Sequence, residues 1–324
     1  LRLRRGATID LDTVLFGRLK GAARRLKLGV TPALICGVRS GTGPPILVRP
    51  GLPDSERREA IETLVGAVEQ RAMKEGWALC FRNVLEAETE LRDALDANGY
   101  LRAPELPASA LEVRWESFDQ YLQQLKSTHR RTARDIRYSA NRARREGLEI
   151  EEIEDLQPVA DRLHALLDGH YRRHNGRPFP YGPDFLSEVN GNLGRNAMVF
   201  VARQEAEIVG VQLVLRGGES MWTAIIGMDP EKTRHSEAYF HLGYHHIIER
   251  AAEEGIARIF FGKLAWDTKI KRGCRLLGMH MMLRPRSRLQ RMLLRPAIAY
   301  RGRWVANEMK LYQKAFVGVD PDRE

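Results

Sequence analysis

Met198-Val199-Phe200-Val201-Ala202-Arg203, followed by Gln204-Glu205-Ala206-Glu207 and then Ile208-Val209-Gly210-Val211-Gln212-Leu213-Val214-Leu215, decides the fold. Two runs rich in β-branched and apolar residues flank a short polar connection, so they predict an antiparallel hairpin. The Gly217-Gly218 pair supplies the next turn, and Met221 to Met228 predicts a third strand, completing a meander. Working outward, apolar residues recur at helical spacing from Ser236 to Glu254, and Arg258 to Gly262 reads as a further buried strand.

Upstream, Leu148 to Ile153 predicts a strand and Leu156 to His174 a helix. A loop with Pro178, Pro180 and Pro183 and a short helix from Asp184 follow. Ser117 caps a long helical segment from Phe118 to about Glu146. Nearer the N-terminus, Leu34-Ile35-Cys36 and Ile46-Leu47-Val48 predict two strands joined by a Gly/Pro loop, and Ser55 opens a helix that stops at Gly76. Ala78 to Phe81 then reads as a strand, Glu88 to Ala97 as a helix, Pro104 and Pro107 as a connection, and Ala110 to Trp115 as a strand. The expected class is therefore α/β (α+β): two lobes, 1–115 and 116–324, each a mixed, largely antiparallel sheet flanked by helices. The second lobe opens with a basic helix over 118–146 and closes with a basic amphipathic segment over 284–316.

With 324 residues and 43% hydrophobic content, the chain builds real cores, which excludes general disorder. Fifty-two Lys and Arg against 42 Asp and Glu leave +10, favouring an anionic partner: nucleic acid, a phosphate-bearing cofactor or substrate, or an acidic membrane face. Cys36, Cys80 and Cys274 stand far apart, which argues against a disulfide framework or a Cys-rich zinc site and for a reducing cytoplasm. No run approaches the ~18 apolar residues of a membrane span, and the N-terminus, which starts at Leu1, lacks the layout of a secretory signal.

Charge is concentrated. Lys126 to Gly147 holds eight Lys or Arg and two acids, with Arg130, Arg134 and Arg137 near one helical face. That face is either a solvated surface or an anion-binding one, and the scarcity of acids keeps the second reading open. Lys232, Arg234 and His235 precede the helix opened by Ser236. They form either a phosphate site at a helix start or an ordinary polar loop. From Arg284 to Arg303, seven arginines interleave with apolar residues; the default is a helix packed by its apolar side, the alternatives being an anionic membrane surface or nucleic acid.

A meander, a helix and a further strand form the order of the GNAT acyltransferase half-domain, and the chain resembles the FemAB-like, peptidoglycan biosynthesis/recognition branch of that superfamily. Four segments carry the resemblance: Tyr121-Leu122-Gln123-Gln124-Leu125 leading into the Arg-rich helix; His170-Tyr171-Arg172-Arg173-His174 through Pro178-Phe179-Pro180-Tyr181; Ala238 to Glu249; and Phe261-Gly262 through Asp267-Thr268-Lys269-Ile270-Lys271-Arg272-Gly273. It extends to the first lobe only through element order, strand-strand-helix-strand-helix-strand, which suggests tandem GNAT-like lobes. Two departures stand out: His241 occupies a position where recognition members tend to carry Glu, and the Gln/Arg-x-x-Gly-x-Gly/Ala loop that cradles acetyl-CoA pyrophosphate is absent.

The resemblance implies an acyl- or aminoacyltransferase joining an activated carboxyl donor to an amine. Aminoacyl-tRNA is the preferred donor and acyl-CoA the other, each a co-substrate rather than a tightly bound cofactor. The acceptor would be an amine-bearing small molecule or peptide. Such chemistry needs a path for the amine's proton and positive charge at the oxyanion. Lys269 is the candidate for the charge. His241 is a candidate base, and Asp267 either orients the amine or caps the helix that follows. Tyr181, Trp222, Tyr244 and Arg272 are candidate acceptor contacts, Tyr181 and Trp222 being equally readable as core. His241 and His245 are four apart but enclose no HExxH glutamate, so no metal is expected. A module that binds nucleic acid or an anionic envelope precursor without catalysis is the competing class.

Overall fold

The structure, a computed structural model, describes residues 10–26, 28–37, 43–49, 51–234 and 236–315. The elements, in chain order, begin with α1 (Leu11–Phe16), α2 (Lys20–Arg25), β1 (Ala33–Cys36), α3 (Asp54–Lys74), β2 (Ala78–Leu85), α4 (Thr89–Ala97) and β3 (Leu101–Glu112). Next are α5 (Phe118–Thr128), α6 (Arg130–Arg145), β4 (Glu149–Glu152), α7 (Ala160–Asn175), α8 (Phe185–Leu193), β5 (Ala197–Gln204), β6 (Glu207–Gly217) and β7 (Ser220–Met228). Then α9 (Ala238–Phe240) passes through a π-helical turn at His241–His245 into α10 (His246–Glu253), and β8 (Arg258–Gly262), α11 (Trp266–Ile270), β9 (Arg275–Arg284) and α12 (Arg288–Met309) follow.

Two compact units result: one of residues up to Ala108 with those from Leu277 onward, the other Ser109–Leu276. The expected lobe 116–324 kept the C-terminal segment with the meander. Instead β9 pairs antiparallel with β2, Cys80 opposite Leu283 and Leu85 opposite Met279, and this ladder takes the described residues from Leu277 to Ala315 into the first unit. That unit has sheet order β1-β2-β9-β3, and Leu79, Phe81 and Val84 pack against Ile61 and Val65 of α3 and Leu95 of α4. Two local expectations change there. Ile46-Leu47-Val48 is not a strand: Pro44 and Pro45 just ahead of it lack ladder donors, and Leu47 is exposed. Conversely, Pro104 and Pro107 lie inside the long strand β3 rather than in a connection.

The second unit carries β3-β8-β7-β6-β5-β4, antiparallel except for β7 with β8. Leu166, Leu167 and Leu186 of α7 and α8 bury against Val199, Val201 and Val211 on one side. Tyr121, Ile136, Leu242 and Ile248 of α5, α6, the π turn and α10 pack with Phe200 and Val209. The predicted single helix over 118–146 is two helices broken at His129 (φ −136°, ψ 59°). Just before the break, Ser127 and Thr128 bond their hydroxyls back to the carbonyls of Gln124 and Leu125, a local alternative to continuing the helix.

Candidate active-site cleft

β7 and β8 pair in parallel for only three residues: Ser220 with Arg258, Met221 with Ile259 and Trp222 with Phe260. Past that point Thr223 Oγ1 still donates to the Phe260 carbonyl at 3.3 Å, and then the strands part. β7 continues to Met228, with an extra residue, Ala224, bulged against β6. β8 ends at Gly262, and Leu264 and Ala265 take left-handed conformations, a costly backbone for non-glycine residues that is held beside the opening. The gap is a cleft of about 590 Å³.

Its walls have one sign of charge. Ile225, Ile226, Met228 and Phe261 supply apolar surface, Gln212, Thr223, Tyr239 and Tyr244 polar groups, and Arg173, Arg234, Lys263 and Lys269 cations, with no Asp or Glu among the described lining residues. α7 brings His170, Arg173 and His174 to the cleft because it crosses β7 at Gly227, where helix backbone lies against the strand. The His170 and His174 rings are 4.4 Å apart. Burial, then the neighbouring His174 and Arg173 charges, pull the His170 pKa down to about 4, so it is a neutral base at pH 7, and its Nδ1 has no partner.

Lys269 is buried, and its ammonium donates to the carbonyls of Phe261 (2.6 Å), Gly262 (3.3 Å) and Lys263 (3.0 Å). Burial pulls its pKa down to about 8, while three carbonyl acceptors favour the charged form. The side chain thus ties the end of β8 to α11 and places positive charge in the cleft wall. Its donors are already engaged, so meeting an oxyanion directly requires breaking one of these bonds. Arg272 lies behind the wall with its guanidinium over the rings of Phe240 and Tyr244, 4.5 and 5.0 Å from their centroids. It bonds the Thr268 carbonyl at 3.1 Å, and its own carbonyl accepts from the Tyr121 hydroxyl at 3.1 Å.

Of the residues singled out from the sequence, Lys269, Tyr244 and Arg234 line the cleft and Arg272 supports it. Others lie elsewhere. Tyr181 stacks on Phe185 within the aromatic group around Phe179, and Trp222 stacks on Phe260 before the strands part. Asp267 is exposed and paired with Lys271 at 2.6 Å; Lys232 is paired with Glu207. His241 turns toward α6, its Nε2 3.2 Å from Ser139 Oγ, and His245 behind it is buried with both ring nitrogens unpartnered. His235 is outside the described residues. Arg130, Arg134 and Arg137 are exposed on α6, and the helix is less bare of counter-charge than its sequence suggests: Arg137 reaches Asp119 at 3.4 Å, Arg142 reaches Glu146 at 2.7 Å, and Arg131 and Arg134 approach Asp135. Among the described residues no group of three or more His, Cys, Asp or Glu is placed to hold a metal. No helix among them is long and apolar enough to cross a membrane.

His170, Arg173, Gln212, Thr223 and Lys263 were not singled out as site residues. The first two sit in the segment His170 to His174, whose two histidines and two arginines on successive helical turns are the signal that was available.

An antiparallel meander followed by a parallel pair that splays over a cleft defines a GNAT-like fold. The model of the FemAB-like family, described as peptidoglycan biosynthesis/recognition, matches residues 19–288, and the chain belongs to that family. No curated protein matches the sequence. Among solved structures, the C-terminal domain of a putative lysylphosphatidylglycerol synthetase from Agrobacterium fabrum is similar at 14% identity, TM-score 0.55, over 76% of this chain and 78% of that one. L-PGS from Bacillus licheniformis is similar at 14% identity and TM-score 0.54, covering 72% and 76%. FemX is similar at 13% identity and TM-score 0.51, covering 72% and 82%. At these identities the likeness is one of fold.

Proposed function

We propose that this protein is an acyl- or aminoacyltransferase that forms an amide between an activated carboxyl donor and an amine, with the donor's acyl end in the β7–β8 cleft. The observation that carries this reading is the acid-free, cation-rimmed opening at the point where the parallel pair parts. Arg173 and Arg234 suit the phosphate of the donor's carrier, and the apolar wall of Ile225, Ile226 and Phe261 suits its acyl portion. An aminoacyl ester on tRNA is the preferred donor, because Arg130, Arg134 and Arg137 on exposed α6 offer further phosphate contacts in the same unit.

The amine nitrogen attacks the donor carbonyl carbon. The tetrahedral intermediate collapses by breaking the bond to the carrier oxygen (or sulfur), and the nitrogen's proton passes to the leaving group. Neutral His170 is the relay for that proton, and Lys269 stabilises the developing negative charge through its field in the cleft wall.

Purified protein incubated with charged tRNA pools or with acyl-CoA, across a panel of amines, is expected to yield amide products detectable by mass spectrometry. Arg173→Ala and Arg234→Ala should each raise the donor KM roughly tenfold, the size of one lost charge-assisted contact. Binding of tRNA without turnover would assign a non-catalytic module instead, and neither binding nor turnover with both donor classes would overturn the proposal.

A further inference from the structure

α12 has two apolar faces. One is docked: Leu294 joins the core formed with Leu11 and Leu15, Val305 and Met309 are buried, and the Arg301 guanidinium donates to the carbonyls of Val14 and Pro104, each at 2.9 Å. The other faces solvent. Leu289, Met292, Leu293, Tyr300 and Trp304 are 63%, 61%, 37%, 71% and 41% exposed. At about 100° per residue these five occupy roughly one third of the helix circumference, a stripe that runs from Leu289 to Trp304 with exposed Pro296 between its two halves. Arg288 and Arg295 are exposed along one border of that stripe, Arg303 is exposed within it, and Glu308 is the single acid from Arg288 to Lys310.

We propose that this outer face of α12 is a membrane-docking surface that settles into the headgroup region of a bilayer bearing anionic lipids. A helix lying in an interface needs an apolar strip wide enough to enter the acyl boundary and long cationic side chains at its edge that reach back to phosphates. Tyr300 and Trp304 supply the amphipathic rings that favour this depth. Charge complementarity selects the occupant. A nucleic-acid backbone pairs with the arginines but leaves the Leu, Met and Tyr surface unrewarded. A second copy of the chain brings two cationic borders of the same sign together. An anionic bilayer satisfies both halves of the pattern. This surface belongs to the first unit and does not depend on the transfer chemistry proposed above.

The test is co-sedimentation of the full chain with phosphatidylcholine vesicles prepared with and without phosphatidylglycerol, at low and high salt. Binding is expected to the phosphatidylglycerol vesicles, weakened by salt. Arg295→Gln and Arg303→Gln should each lower the partition coefficient roughly fivefold. The triple variant Leu289→Gln/Met292→Gln/Tyr300→Gln should abolish binding while keeping the parent's melting temperature, since all three side chains are already in solvent. The proposal is overturned if phosphatidylglycerol vesicles are not bound, if the triple variant binds them as tightly as the parent, or if sedimentation shows a dimer that the triple variant dissolves.

Discussion

Gly227 is where α7 meets the sheet, and replacing it with alanine tests whether that contact sets the cleft. Gly227 has no positive φ, so the effect is one of space alone. A Cβ there would lie 2.8 Å from the Leu166 carbonyl carbon and the Leu167 nitrogen and 2.9 Å from the Leu166 oxygen, whereas ordinary Cβ contacts begin at 3.4 Å. The obstructing atoms are helix backbone and cannot rotate aside. α7 must therefore withdraw by at least about 0.6 Å, loosening Leu163, Leu166 and Leu167, which are all buried. Overpacking of this kind costs about 1–3 kcal/mol, which for a unit of this size lowers the melting temperature by roughly 2–12 °C. His170 and Arg173 move with the helix, so turnover with a competent donor should fall by up to about a hundredfold, the penalty of misplacing a catalytic group by an ångström. Gly210→Ala is the control: its Cβ meets the ends of Met228 and Leu242, flexible atoms that can yield. Thermal melts of both variants decide the matter. A Gly227→Ala protein as stable as the parent, or a Gly210→Ala protein more damaged than Gly227→Ala, would refute the packing argument.

Three further outcomes are expected. Burial holds the His245 pKa well below the ordinary 6.5, so the unfolded chain takes up a proton there that the folded chain refuses. Its contribution is therefore intact above about pH 6.5 and lost as the pH falls below it. His245→Leu should raise the melting temperature at pH 7 and flatten its decline toward pH 5, and an unchanged acid slope would count against this assignment. Lys269→Met leaves the Phe261, Gly262 and Lys263 carbonyls without their shared donor; a loss of about 1–3 kcal/mol in denaturant titration and loss of turnover are expected together. Gly66→Ala, within α3 and with nothing near the added Cβ, should stabilise the first unit by about 1 kcal/mol in the same titration.

The splayed pair shows why some of the site was legible in the chain and some was not. Meander strands are local: alternation and turn residues between 197 and 228 suffice to place β5, β6 and β7 against one another. Family-like spacing after the last core strand brought Lys269 to attention, and it does line the cleft. Its engagement with three carbonyls had no counterpart in the sequence, because it depends on how the chain turns at Gly262, Leu264 and Ala265. Trp222 and Tyr181 were attractive for their chemistry, yet an aromatic ring buries wherever packing rewards it, here on Phe260 and Phe185.

By itself, then, the amino-acid order determined the strands of the meander, the helix capped by Ser117, and the positive surplus with its concentration on α6 and the C-terminal segment that forms α12. These follow from residues within a few positions of each other. Tertiary structure alone decided that residues 277–315 join the first unit through the β2–β9 ladder, that α7 carries His170 and Arg173 to the opening, and that α12 keeps a second apolar face in solvent. Each of those outcomes rests on contacts between residues far apart in the chain, whose partners no local periodicity encodes.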